Sequence, residues 1–170
     1  MSIKKNLVLL GMMGVGKSRI GKYVAKKLKI NFFDIDKLIE KKNEMKISEI
    51  FKKKGEAYFR KEEELITLKC LDKKESLISL GGGGFINEKI RKKVLSDCCS
   101  IWLNVNMKKL YLRLKKNKKR PLIRQKNEDT IEKIFMKRKK IYSLANQEIN
   151  CNDLTVDQIS NKIIKFYEKL

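Results

Sequence analysis

The chain contains no histidine. That absence excludes a histidine-based catalytic triad, an imidazole general base and a histidine metal site, so acid–base work falls to carboxylates or to lysine. The four cysteines, Cys70, Cys98, Cys99 and Cys151, make no C-x-x-C pair and no zinc spacing. Cys98 and Cys99 precede an apolar stretch, where small buried side chains are expected, and all four read as reduced thiols. No apolar run approaches the ~18 residues a membrane span needs. Residues 1–5 lead into the first apolar stretch without a signal-peptide pattern. A cytoplasmic protein with no membrane partner is therefore expected.

Acidic residues are also scarce, with 20 Asp plus Glu against 42 Lys plus Arg and a net charge of +22. Such an excess raises nucleic acid as a partner. Only seven of the basic residues are arginine, however: Arg19, Arg60, Arg91, Arg113, Arg120, Arg124 and Arg138. The lysines run along nearly every helical stretch and form no patch with interleaved aromatics. Lysine is a point charge suited to solvated faces, whereas the planar fork of arginine suits carboxylate and phosphate recognition. Most of the lysine is read as surface, nucleic acid is the lesser expectation, and recognition is sought among the arginines.

What is present fits one α/β domain. The chain has 170 residues, 42% of them hydrophobic, enough for one well-buried sheet. Apolar stretches of strand length, near residues 6–10, 31–34, 76–80, 100–105 and 148–150, alternate with segments of helical period. Helices are expected near 17–28, 36–42, 48–53, 56–71, 87–95, 107–116, 130–144 and 156–169. The third and fourth strands are nearly continuous apolar runs, as parallel strands covered on both faces should be. The one low-complexity segment, 115–128, reads KKNKKRPLIRQKNE and holds the only proline, Pro121. It is expected to be a surface loop between two helices, either a plain connector or a lid that carries arginine to a ligand.

Directly after the apolar run at 7–10 comes GMMGVGKS, residues 11–18, with the spacing G-x-x-x-x-G-K-S. Its glycines let successive backbone amides turn toward phosphate oxygens. The following helix adds the positive end of its dipole. In such a P-loop, Lys17 reaches the β- and γ-phosphates and the Ser18 hydroxyl holds Mg²⁺, so ATP and Mg²⁺ are expected. A glycine-rich turn that binds nothing is the bland alternative, disfavoured by the strand–loop–helix order.

Two further stretches lie at the carboxyl ends of expected strands, where ligands gather in open α/β sheets. Asp34 and Asp36 end the second strand in FFDID. Continued strand geometry would send both carboxylates to one side, one toward Mg²⁺ and one toward an acceptor hydroxyl, although Asp36 as a simple helix cap explains one of them equally well. Four glycines, Gly81 to Gly84, follow the third strand and allow close approach of backbone to a ligand. No acidic residue ends that strand, which returns the metal-side role to Asp34. Arg60, in GEAYFR, has Glu56, Glu63 and Glu64 three or four residues away and reads first as an intrahelical ion-pair network. Arg138, in KRKKIY, reads first as part of a charged helix face.

Taken together, the order P-loop, D-x-D, G-E-x-x-F-R, G-G-G, R-P-L and R-x-x-x-Y resembles the shikimate kinase family over about residues 7–142. The resemblance implies a P-loop nucleoside-monophosphate-kinase-like three-layer sandwich with a five-stranded parallel sheet of order 2-3-1-4-5. It implies a single kinase domain over 1–170, with a substrate-binding helical region about 36–62 and a lid about 115–128. It implies transfer of the γ-phosphoryl group of ATP to the 3-hydroxyl of shikimate by a monomer. Gly14, Val15, Gly16, Lys17 and Ser18 then bind ATP. Asp34 lies near Mg²⁺ through water, and Asp36 bonds the shikimate hydroxyls and receives a proton. Arg60 and Arg138 bind the substrate carboxylate over a floor of Gly81, Gly82 and Gly83. Arg120 matches the lid arginine on the ATP phosphates, and Arg113 the arginine near adenine. Two departures stand out: Arg19 follows Ser18 where the family has a small hydroxyl residue, and the segment around 150–153, where adenine contacts belong, carries no residues across. The alternatives are another small-molecule kinase such as a gluconate or nucleotide kinase, a homologue that binds ATP without catalysis, and a basic P-loop nucleic-acid-binding module.

Overall fold

Leu7, Val8 and Leu9 are fully out of water, because their strand lies in the middle of the sheet with neighbours on both edges. The computed structural model describes residues 5–116 and 127–169. Strand β1 (Asn6–Leu10) leads through the loop at 11–16 to helix α1 (Lys17–Leu28), then to β2 (Asn31–Asp34) and α2 (Ile35–Asn43). Helix α3 (Ile47–Leu71), strand β3 (Ser76–Ser79), a 3₁₀ turn (Gly84–Ile86), helix α4 (Glu88–Asp97) and strand β4 (Cys98–Asn104) follow. Helix α5 (Met107–Lys116), helix α6 (Glu128–Tyr142), strand β5 (Gln147–Asn150) and helix α7 (Val156–Glu168) complete the described elements.

The five strands run in the order β2-β3-β1-β4-β5, and every pairing is parallel. On one edge of β1 Leu7 stands opposite Leu77, and on the other opposite Cys99. Parallel strands need crossover helices, which cover both faces. Helix α1 packs with α7 and reaches β1, β2 and β3, while α4 packs against β4 and α3. Asn6 pins the lower edge: its amide donates to the carbonyls of Leu71 and Lys73, and its Oδ1 accepts from Ser76 N at 3.1 Å. The order expected from the resemblance is therefore the order observed.

Several boundaries differ from the sequence expectations by a residue or two, and three of the differences are instructive. Strand β4 begins at Cys98, two residues early, because the backbones of Cys98 and Cys99 join the ladder opposite Asn6 and Leu7. All four cysteines are buried and unbridged, and burial pushes Cys98, Cys99 and Cys151 up to about 11. The helices expected at 48–53 and 56–71 are one run, α3, broken only at Gly55 (φ 83, ψ 168). Around the segment read as 115–128, the helix expected at 107–116 ends where expected, while the next helix starts two residues before the expected 130. Lys115 and Lys116 end α5, and Glu128 opens α6, whose cap Asn127 accepts from Thr130 N at 2.9 Å. Arg120 and Pro121 lie outside the described residues.

Because Leu9 fills the sheet centre, Leu9→Ala should lower the unfolding free energy by about 2–5 kcal/mol in a urea titration. A loss below ~1 kcal/mol would show that the sheet centre is not the stabilising core.

Candidate active site

The P-loop hangs from the end of β1 and closes onto α1. Gly16 holds a left-handed conformation (φ 101) at the head of that helix, which only glycine adopts without strain. The first turn of α1 contains no acidic residue, so nothing within it opposes an anion at its positive end. The Lys17 side chain is only 8% exposed, and its Nζ donates to Gly11 O at 2.8 Å and Met12 O at 3.0 Å. The ammonium thus lies across the loop. Ser18 stands exposed in the same turn. Val15 turns its side chain into the core, which leaves it only its backbone to offer a nucleotide.

The two aspartates do not share one strand face. Strand β2 stops at Asp34, which caps α2 by accepting from Lys37 N at 3.2 Å. The cap considered for Asp36 thus belongs to Asp34, and Asp36 stands in the first helical turn. There it faces the glycine segment beyond β3. A side chain at Gly81 would place its Cβ 2.7 Å from Asp36 Oδ1 and 2.5 Å from Glu63 Oε1. One at Gly82 would come within 3.2 Å of both Arg138 Nη1 and the Met13 amide of the P-loop. One at Gly83 would run into the Arg60 guanidinium, whose Cζ lies 2.9 Å from that position. Asp36, Arg60, Arg138, the three glycines and one edge of the P-loop are therefore brought together.

Arg60 makes ion pairs within its own helix, as read from the sequence, and also lies at the glycine segment. Its Nη1 pairs with Glu63 at 2.7 Å and its Nη2 with Glu56 at 3.1 Å, and the same guanidinium lies against Gly83. Burial opposes its charge, but Glu63 and Glu56 more than compensate and hold its pKa above the ordinary value. Glu64 leaves the network for Asn87 and Lys89.

Glu63 is the residue that sequence reasoning reduced to a helix ion pair. It is 2% exposed, and its Oε1 finds no hydrogen-bond partner among the described residues. Burial raises its pKa, against the lowering effect of Arg60, and Asp36 raises it further. A signal existed: Phe59, Glu63, Thr67 and Cys70 follow helical spacing, and all are buried. A carboxylate on an otherwise apolar stripe marks a pocket wall. Arg91 was left without a role, and it braces the turn after the glycines by donating to Phe85 O at 3.2 Å and Ile86 O at 2.8 Å. Arg113 stands exposed on α5, close enough to Cys151 for its charge to act on the thiol. It does not reach the glycine cluster.

A family model described as shikimate kinase matches residues 13–168. The chain is 42% identical over 168 residues to a shikimate kinase of Thermodesulfovibrio yellowstonii, covering 98% of this chain and 96% of that one. The chain belongs to the shikimate kinase family. Two solved structures agree with that membership. A shikimate kinase from Acinetobacter baumannii in complex with shikimate superposes with a TM-score of 0.91 at 27% identity, over 98% of this chain and 94% of that one. A shikimate kinase from Aquifex aeolicus gives 0.86 at 32% identity, over 96% of each chain. Among shikimate kinases, then, this chain presents two guanidinium groups and two carboxylates around a glycine floor. That set of charges suits an acceptor bearing both a carboxylate and hydroxyls. Another small-molecule kinase, weighed from sequence, is not favoured.

The raised pKa of Glu63 makes stability depend on pH with a fixed sign. Unfolded, this group titrates near 4.5; folded, it titrates higher. Its contribution is fully present below the unfolded value and is lost as the pH rises through the folded one. Urea midpoints of wild type and Glu63→Gln, followed from about pH 4 to about pH 7, should diverge in slope, with wild type losing ground as pH rises. Parallel slopes would mean that Glu63 ionises as freely folded as unfolded.

Proposed function

We propose that the protein transfers the γ-phosphoryl group of ATP to the 3-hydroxyl of shikimate, giving shikimate 3-phosphate and ADP. The observation that carries this is Gly82, where the position a Cβ would take lies 3.2 Å from both the Met13 amide nitrogen of the P-loop and Arg138 Nη1. Donor and acceptor sites therefore share a wall, as in-line transfer between two bound molecules demands.

In this reading Arg60 and Arg138 bind the shikimate carboxylate and select it over an uncharged polyol. Asp36 accepts a hydrogen bond from the attacking hydroxyl and stands ready to take its proton. The bond from phosphorus to the β,γ-bridging oxygen breaks as the bond to the shikimate oxygen forms, and ADP leaves with that oxygen. Lys17 and the P-loop amides of Gly14, Val15 and Gly16 hold the phosphates, Arg120 reaches them from the lid, and Arg113 borders the adenine. Mg²⁺ fits the donor set. Ser18 stands exposed at the positive end of α1, and Asp34 spends only Oδ1 on its helix cap, leaving Oδ2 to act through water. Among the described residues no three acidic or thiol groups form a protein-only cage, which suits a cation held mainly by phosphate oxygens and water. When bound, the ion neutralises charge on the β- and γ-phosphates. The enzyme works as a monomer in the cytoplasm, with every site residue supplied by one chain.

Coupled ADP release with shikimate, gluconate and nucleoside monophosphates offered in parallel tests the acceptor: shikimate alone should stimulate, and its failure to do so overturns the reading. Arg60→Ala and Arg138→Ala should each raise KM for shikimate about 10- to 100-fold, the loss of a charged hydrogen bond. Lys17→Ala should lower kcat by about 10²–10³. Unchanged shikimate binding in both arginine variants would falsify the acceptor assignment.

A further inference from the structure

The R-x-x-x-Y pattern gave a role to Arg138 and none to Tyr142. The two stand one helical turn apart on α6 and so share a face. Tyr142 is 1% exposed and heads the fully buried side chains by volume. Its ring lies 6.0 Å from that of Trp102 on β4. Its hydroxyl donates to the Gly82 carbonyl and stands 3.9 Å from the Met12 sulfur in the P-loop. Arg138 Nη1 stands 3.9 Å from the same sulfur. One buried side chain thus touches the glycine floor and the P-loop while riding on the helix that carries a substrate arginine.

We infer that the Tyr142 hydroxyl is a positioning group that fixes the Gly82–Gly83 peptide for the acceptor. This rests on the shikimate reading above. The described backbone has no cis peptide, and in a trans peptide the carbonyl and the next amide point in opposite directions. Anchoring Gly82 O on buried Tyr142 therefore turns the Gly83 N–H away from the core, on a segment only half buried. The floor has no side chains of its own to hold it. Consecutive glycines lose more backbone freedom on ordering than any other residues, so an external anchor has most effect there. Burial pushes Tyr142 up to about 12, so its proton stays in place for donation at neutral pH.

Tyr142→Phe removes the hydroxyl and keeps the ring. It should raise KM for shikimate ~3- to 10-fold, as expected for one lost hydrogen bond, while KM for ATP stays within about twofold. A purely structural role would move both constants together. Amide hydrogen exchange without substrate supplies a second readout, with faster exchange at residues 82–84 in the variant. Should Tyr142→Phe not fold, 3-fluorotyrosine at position 142 keeps volume and hydroxyl while strengthening the donor, and should lower KM for shikimate. An unchanged shikimate KM, or an equal rise in both constants, overturns the inference. If wild type shows no shikimate-dependent ADP release, the functional reading fails by itself. Unaltered exchange at 82–84 then overturns the anchor separately, and faster exchange upholds it.

Discussion

Strand β1 can be apolar from Leu7 to Leu10 only because β3 and β4 flank it and helices cover both faces, and the candidate cleft depends on that arrangement. Parallel pairing points all strands one way, so the P-loop after β1 and the glycine segment after β3 must emerge side by side. The backbone bond from Leu80 N to Leu9 O, 3.0 Å long, carries the β1–β3 contact to the last residues before the two loops separate. The P-loop and the glycine segment are neighbours by sheet register before any side chain is considered.

On that frame the charges are graded by burial. Ion pairs involving lysine lie mostly at the surface, where such contacts contribute little to stability. The arginines at the cleft differ: Arg60 is half-buried against a carboxylate that is almost wholly buried. Holding Glu63 ionised there costs free energy, which the pairing of its Oε2 with Arg60 recovers only in part, since Oε1 has no hydrogen-bond partner among the described residues. A polar pocket wall that ligand or water completes is consistent with that imbalance.

Much of this was legible in the sequence because local chemistry and tertiary role agree in it. The P-loop spacing and the apolar strands were readable, the strand order followed from the family resemblance, and Asp36, Arg60, Gly81 to Gly83 and Arg138 do converge. The exceptions have physical causes. Asp34 and Asp36 were assigned to one face on the assumption that the strand continued, but the chain turns helical at Ile35, and a two-residue spacing then loses its meaning. Glu63 was hidden because ion pairs three residues apart on a helix are common, and only its place on a buried stripe distinguishes it. Tyr142 was hidden because its partner is a backbone carbonyl 60 residues away, and carbonyls leave no trace in side-chain patterns.

The three glycines of the floor are each closed by a different neighbour: two carboxylates at Gly81, an arginine and a P-loop amide at Gly82, and a second guanidinium at Gly83. No single compensating substitution elsewhere would admit side chains at all three. For sequence drift, the segment behaves as three separate locks: alanine, the smallest step available, would press at each on a different charged or polar group, hardest at Gly81 and Gly83 and by a few tenths of an ångström at Gly82. An exposed lysine can change without displacing a neighbour, while in this short run of the least decorated residues one added carbon already presses on the groups around it.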